Sequence, residues 1–416
     1  MMIAQRFDIA IIGAGLAGSA LAAALGNSRW RVALIEAQPL SLQWPTLGDG
    51  INDFDLRVSA LTAASQDFLD QLVFEGKSVW RDVSARRVSA YRHMQVWDGD
   101  GTGAIHFDAD EVNRGELGHI VENTILQAAL LHGVSACRNV QIFSGNAVEQ
   151  FTRTSLSQNQ SGIEIALSNG ATLHTTLLVG ADGSNSRVRA WAQFATREWD
   201  YGHTAIVATI QTEKPHAQTA RQIFRREGPL AFLPLRTTQG DEHYCSIVWS
   251  TLPEEAQALM AMDDAQFMQA LGRAFEFTLG EITATSRRVA FPLRARHVNE
   301  YTQANIALIG DAAHTIHPLA GQGINLGFLD AQALARELLR AEQRGLSAAD
   351  TDVLARYQRE RKSDNVATLA AMEGFKRLFA ANALPVRWLR NTGLKFFDRS
   401  GPLKRLMIRQ AMGIAL

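Results

Sequence analysis

The sequence predicts an α/β protein, and three stretches carry that prediction. "FDIAIIGAGLAGSALAAALG" (7–26) runs from an apolar segment through a glycine turn into an alanine-rich helix pattern. "TLLVGADGSNSRVR" (176–189) ends a second apolar segment on Asp-Gly, and "NIALIGDAAHTIHPLAGQGINLG" (305–327) ends a third on Gly-Asp. Short apolar runs of this kind suit strands buried on both faces of a parallel sheet. The expectation is a Rossmann-like domain with an inserted, mostly antiparallel sheet domain and C-terminal helices.

In chain order, residues 7–12 read as a strand, the glycine turn and helix follow, and "RVALIE" (31–36) is the next strand, completing a βαβ unit. Residues 40–55 read as a long loop, and "RVSALTAASQDFLDQL" returns to helical spacing. The stretch 88–108 alternates like strands about a glycine turn, and 117–131 has a helix pattern. Short strands fill 139–179, and 203–250 is strand-rich and aromatic. Two helices, the strand "RVAFPL" and the strand 306–309 follow, and the pattern from Gly323 onward is mostly helical. The Rossmann-like domain is therefore expected from residues 1–75, 110–185 and 290–340. The inserted sheet is expected from 80–108 and 186–289, and a basic, amphipathic helical region from 341–416.

Composition narrows the function. A chain of 416 residues with a net charge of −1 is long enough for about two cores. It lacks the basic excess of a nucleic-acid binder. Cys137 and Cys245 make no CxxC pair and read as buried small hydrophobes in a reducing compartment. No secretory leader and no apolar stretch of about 18 residues is read, so a cytoplasmic protein, peripheral at a membrane at most, is expected.

Gly13, Gly15 and Gly18 form GxGxxG between a strand and a helix. The first glycine permits the turn, the second lets backbone approach a pyrophosphate, and the third lets helix pack on strand. The helix N-terminus offers N–H groups to the anion. Glu36 ends the next strand, where an acid can bind an adenosine ribose; it suits FAD or NAD alike. The 310–327 stretch favours FAD. Asp311 can accept hydrogen bonds from ribityl hydroxyls, and Pro318, Gly321 and Gly323 let backbone lie against a flat ring. The helix beginning at Gly323 would aim its positive end at a reduced, anionic flavin. His314 and His317 have the spacing of a metal pair but lack a third ligand at helical spacing, and no metal is expected. Asp182 and Gly183 form a sharp turn beside the same crevice, with Arg187 and Arg189 following.

Together these three stretches resemble the flavoprotein aromatic hydroxylases of the para-hydroxybenzoate hydroxylase fold, whose cofactor domain is of the glutathione reductase type. The resemblance implies that Gly13, Gly15, Gly18 and Glu36 bind the ADP half of FAD, and that Arg57 in "DLRVSAL" lies near pyrophosphate and flavin. It implies that Asp182 contacts FAD and takes part in NAD(P)H use. Asp311, Pro318, Gly321, Gln322, Gly323, Ile324 and Asn325 would line the ribityl chain and ring. "MQVWD", "LGHIVEN", "WDYGHTAIVATI", "CSIVWSTLPEEA" and "GDAAHTIHPLAGQGINLGFLDA" are similar to the ubiquinone-biosynthesis branch, in particular to hydroxylases acting at ring carbon 5 of a 2-polyprenylphenol. That branch implies NAD(P)H as reductant, O₂ as co-substrate, and oxygen transfer to a phenol ring through a flavin C4a-hydroperoxide. Alternatives are a sister hydroxylase at another ring position and a flavin-retaining scaffold of the biosynthetic assembly.

Because the cofactor carries the chemistry, no serine- or cysteine-type catalytic group is expected. His203, His243, Tyr244 and His314 are candidates for polarising the phenol. Phe224, Phe232, Leu233, Pro234, Val248 and Trp249 are candidates for the substrate-facing surface. Residues 374–416 hold nine Lys or Arg against Asp398 alone, interleaved with apolar residues. Such a segment can dock on an anionic membrane, where a polyprenyl phenol resides, or on partner proteins, or pack as an ordinary helix.

Overall fold

The computed structural model describes residues 5–157, 160–315, 323–380 and 400–413. Five strands run parallel in the order Val140–Ser144, Val32–Glu36, Gln5–Ile12, Thr172–Gly180 and Ile306–Leu308. The antiparallel strands Val148–Ser157 and Gln160–Leu167 extend this sheet beyond Thr172–Gly180. Ile9, Ile11, Leu34, Leu177 and Val179 are fully buried. This explains why these strands read as continuous apolar runs and not as alternating ones.

Helix Leu16–Ala24 packs between Asn123–Ser135 and Gly323–Gln343. Its small Ala and Gly residues permit that closeness. Helix Thr351–Ala380 lies against Gly323–Gln343 in turn. Cys137 and Cys245 are free, buried thiols, and burial pushes them up to about 11 and about 12.

The second sheet contains, in order, His314–Thr315, Val289–Val298, Thr196–Thr212, Tyr244–Thr251, Gly228–Leu235, Thr219–Arg225, His93–Asp98 and Ala104–Asp108. Only the Thr219–Arg225/His93–Asp98 pair in that series is parallel. One face is covered by helices Pro253–Ala261 and Asp264–Ala274, which bury Ile206, Phe232, Ile247 and Trp249 with Phe267 and Phe275. The opposite face carries Ala231, Leu233, Leu235 and Tyr244. It meets Phe54, Ala60 and Ile120, and also Ile408 of the C-terminal helix Gly401–Ala411 and Met412 just beyond it.

Candidate functional site

The site begins with strand register. Ile12 pairs with Ile35 and Gly180, and Gly180 pairs with Leu308. Gly13, Glu36, Asp182 and Asp311 therefore leave one edge, the carboxyl edge, of one parallel sheet. Ligands of open α/β sheets bind outside that edge.

Each glycine of the first loop has a separate reason. Gly13 has φ +101°, and a Cβ there would lie 2.5 Å from the Ala181 carbonyl oxygen. A Cβ on Gly18 would lie 2.0 Å from the Gly13 carbonyl oxygen. Gly15 has nothing within 4 Å of its Cβ position and caps Leu16–Ala24 without a side-chain hydrogen bond. It leaves a cradle at a helix N-terminus that a methyl group would fill, which fits the pyrophosphate of FAD. Glu36 Oε2 accepts the Ala14 N–H at 2.8 Å, and Oε1 accepts the Gln38 N–H at 3.0 Å. The carboxylate is thus fixed beside the loop, and each oxygen retains a lone pair for a ribose hydroxyl.

Gly183 turns the second loop with φ +79°. Asp182 then accepts the Arg187 N–H at 2.7 Å and the Val188 N–H at 3.1 Å, together with the Ser186 hydroxyl, so it holds the first turn of helix Arg187–Trp191, which Ser186 caps. Arg187 stacks over Trp191 at 4.9 Å. Buried Arg189 donates to Ser184 O at 2.7 Å and to Ala312 O at 3.0 Å, tying this loop to the third.

At the third loop Gly310 has φ +58°, and its Cβ position lies 3.2 Å from the Ala17 methyl. Asp311 is exposed, yet it stands in a crevice among protein atoms. Desolvation there raises its carboxyl above the ordinary range, against the pull of His314 and Arg57. Arg57 is itself exposed and electrostatically coupled to Asp311. An acid held in such a crevice gains most from hydroxyl donors, which suits a ribityl chain. Gly323 opens its helix with free space at its Cβ position, and Ile324 packs on the main core. The side chain of Asn325 is used within the chain. Its Oδ1 accepts the Thr62 N–H at 3.0 Å and the Ser65 hydroxyl at 2.6 Å, and its Nδ2 donates to Ala60 O at 2.8 Å. Asn325 therefore anchors the start of this helix. Pro318, Gly321, Gln322 and His317 lie outside the described residues. Among the described residues no group of His, Cys, Asp or Glu forms a metal cluster.

The four polarising candidates are not brought together. His203 is half-buried, with Nδ1 2.6 Å from Tyr201 O. His243 contacts Asp241 at 2.6 Å beside a turn. Tyr244 is buried against Phe54, with ring centroids 5.2 Å apart. His314 is buried against Asp330, with Nε2 2.5 Å from Oδ2.

The substrate-facing set divides between faces. Leu233 and Val248 lie with Tyr244 on the face toward the Rossmann-like domain. Phe224 packs with Ile105 and Phe107 at the far end of the sheet. Phe232 and Trp249 are corrected: both lie on the helix-covered face, where Phe232 stacks on Phe275 at 3.6 Å and Trp249 packs near Phe267. Pro234, two residues from Phe232 and paired with Cys245, shares that side. A strand alternates sides, so adjacent aromatic positions cannot all face one ligand. Val289, Phe291 and Leu293 belong to the Val248 face as well. Val289 pairs with Val207, and Phe291 pairs with Ala205. Val207 pairs in turn with Val248, which places Val289 and Phe291 on the Val248 face. Both are still 39% and 38% exposed. The period-2 pattern of "RVAFPL" was the available signal.

A family model described as an FAD binding domain matches residues 6–371. The 3-demethoxyubiquinol 3-hydroxylase of Escherichia coli K12 is 37% identical over 99% of this chain and 100% of its own length. The mitochondrial ubiquinone biosynthesis monooxygenase COQ6 of Xenopus tropicalis is 34% identical, covering 96% and 91%. The ubiquinone hydroxylase UbiL of Rhodospirillum rubrum is also 34% identical, covering 98% and 89%. The crystal structure of PqsL of Pseudomonas aeruginosa, a probable FAD-dependent monooxygenase, shares the fold at a TM-score of 0.75 and 24% identity, over 94% of this chain and all of that one. Three loops converge on one sheet edge, the relatives are similar from end to end, and the chain belongs to the FAD-binding monooxygenase family that includes ubiquinone-biosynthesis hydroxylases.

Proposed function

We propose that the chain hydroxylates the aromatic ring of a polyprenyl phenol in ubiquinone biosynthesis, with NAD(P)H as reductant and O₂ as co-substrate. The carrying observation is the apolar sheet face of Val207, Leu233, Val248, Val289 and Phe291. It belongs to the sheet whose edge strand, His314–Thr315, continues directly from the Asp311 turn. FAD, when bound, supplies the oxygen-transfer chemistry. Gly15 and the helix it caps receive the pyrophosphate, Glu36 the ribose, and Asp311 the ribityl hydroxyls. Arg57 offers positive charge beside Asp311. The apolar face orients the ring and excludes water. Tyr244 is the polar group on that face nearest in type to a phenol partner. Its hydroxyl is raised by burial and then by Asp241 and Asp49, so it donates without ionising.

The family-like motifs favour ring carbon 5. A second reading is the ring position of a 3-demethoxyubiquinol 3-hydroxylase, and the 37% identity to the Escherichia coli enzyme favours it. Mass spectrometry of quinone-pathway lipids from cells lacking the gene separates them. Accumulation of a polyprenyl phenol without the C5 hydroxyl supports the first reading, and accumulation of a demethoxy quinol supports the second. A normal lipid profile rejects both.

The basic C-terminal region is proposed to bring the enzyme to its lipid substrate, or to the proteins of the biosynthetic assembly. Within it, helix Gly401–Ala411 packs through Ile408, while Arg405, Leu406 and Arg409 remain exposed. No described helix is long and apolar enough to cross a membrane.

A further inference from the structure

Strand Thr219–Arg225 carries an amide on a sheet face that is otherwise mostly apolar. Gln222 pairs with Ala231 on one side and with Val96 on the other, and Ala231 pairs in turn with Val248. Residues directly opposite on paired strands share a face, so Gln222 stands on the Val248 face beside Ala231 and Leu233. Gln222 is only 4% exposed, yet among the described residues its side chain has no hydrogen-bond partner. The other buried amides, Asn305, Asn325 and Asn365, all bond within the chain. Ser246 pairs with Leu233 on the same face, is 2% exposed, and its hydroxyl is unpaired in the same way.

Burying an amide without a partner opposes folding, and an apolar side chain of that size would cost less there. The missing partner therefore calls for a ligand. The face is open to one beside Gln222. Every other residue of Tyr244–Thr251 is buried, and Val248 alone is half-buried, so the cover over this face stops there. Two strand spacings, about 10 Å, separate the Gln222 strand from the strand of Val248 and Ser246, which leaves room for one aromatic ring with its hydrogen bonds.

We propose that Gln222 recognises the ring hydroxyl of the substrate, its amide oxygen accepting from that hydroxyl while the ring lies over Ala231, Leu233 and Val248. The inference rests on the reading that a polyprenyl phenol is the substrate, and it names the residue that fixes the ring. Valine and leucine side chains hold a ring without choosing its rotation. One hydrogen bond at the hydroxyl sets which ring carbon is turned toward the flavin. The Ser246 hydroxyl offers a partner to a second ring oxygen.

The test uses holoenzyme carrying Gln222→Met, which keeps the volume and removes the amide. A short-chain prenyl phenol and a short-chain demethoxy quinol are titrated into parent and variant, with the matching prenylbenzene, which lacks ring hydroxyls, as control. Perturbation of the flavin absorbance reads binding. The variant should bind the hydroxylated ligands about tenfold more weakly than the parent, the effect of one lost hydrogen bond. Its affinity for the prenylbenzene should be unchanged or improved. Equal weakening for ligands with and without hydroxyls overturns the proposal, because the substitution has then only reshaped the face. Melting of the apo variant is an independent check. With no internal bond to lose, it should melt at or above the temperature of the parent. A clear drop in melting temperature means that the amide serves the fold, and the proposal fails. A parent that binds neither hydroxylated ligand removes the polyprenyl-phenol reading and this proposal with it. A parent that binds them, beside a variant that binds them equally well, overturns the present proposal alone.

Discussion

Gly15 and Gly18 belong to one motif but answer to different constraints, and substitution separates them. Gly15→Ala adds a methyl group to open space, so the apo protein should melt as the parent does. The methyl occupies the pyrophosphate cradle, and FAD affinity should fall by about 100-fold, from loss of close backbone approach. Gly18→Ala drives a methyl onto the Gly13 carbonyl and should destabilise even the apo protein by about 1–3 kcal/mol. Thermal melts of apo protein with FAD titrations check both; equal melting of the two variants would refute the distinction. Asp311 shows the opposite relation between stability and function. Its folded carboxyl is raised, so the unfolded chain releases its proton first as pH climbs. Stability is therefore lost between the unfolded value and the higher folded one, and the loss persists at neutral pH. Asp311→Asn should raise apo stability at pH 7, leave it nearly unchanged at pH 3, and weaken FAD binding by about 10–100-fold through lost charge-assisted hydrogen bonds.

At the scale of elements, the sheet faces give the sharpest contrast. Trp249→Ala should cost about 3–5 kcal/mol, since the indole is buried between sheet and helices. Phe291→Ala should change stability little but raise KM for the lipid substrate several-fold. Urea melts and steady-state kinetics would show it, and an unchanged KM would remove Phe291 from the substrate surface. This contrast also marks what the sequence could and could not disclose. The strand–glycine–helix units were legible because buried parallel strands and phosphate-type turns leave contiguous, local signatures. The sides taken by Phe232 and Trp249 were not, because which face of an amphipathic strand meets helices depends on partners far along the chain. Asn325 sits in a cofactor-like motif, and nothing local in that motif discloses that its amide is bonded to Ala60, Thr62 and Ser65. Asp330 drew no attention at all. It reads as an ordinary polar helix residue until Arg361 and Asn365, more than thirty positions later, fold against it.

At the scale of the whole molecule, the C-terminal helix has two faces with separate jobs. Ile408 and Met412 enter the cluster where Tyr91 and Leu117 meet Leu233 and Tyr244. Lys404 bonds Glu111 at 2.7 Å, and the Ala64 N–H donates to Met412 O at 3.2 Å. The helix thus contacts the antiparallel sheet and the Rossmann-like part at once, and its loss should be felt by both. Ile408→Ala should cost about 2–4 kcal/mol and lower the calorimetric transition of the full chain. Arg405 and Arg409 point outward and have no such duty. Replacing both with Glu should leave the melting temperature within a degree or two, because exposed charges contribute little to stability. The same double substitution reverses the sign of the exposed face. If this face docks on the membrane, each arginine near an anionic surface is worth about 1 kcal/mol, and reversal doubles the change, so flotation with anionic vesicles should fall by more than tenfold. The two variants therefore predict opposite pairs of outcomes: Ile408→Ala weakens folding and spares vesicle binding at temperatures where it is folded, while the Arg405/Arg409 reversal spares folding and abolishes binding. If the reversal variant binds vesicles as the parent does, the described part of the C-terminal helix serves cohesion alone, and lipid delivery must be sought elsewhere on the surface.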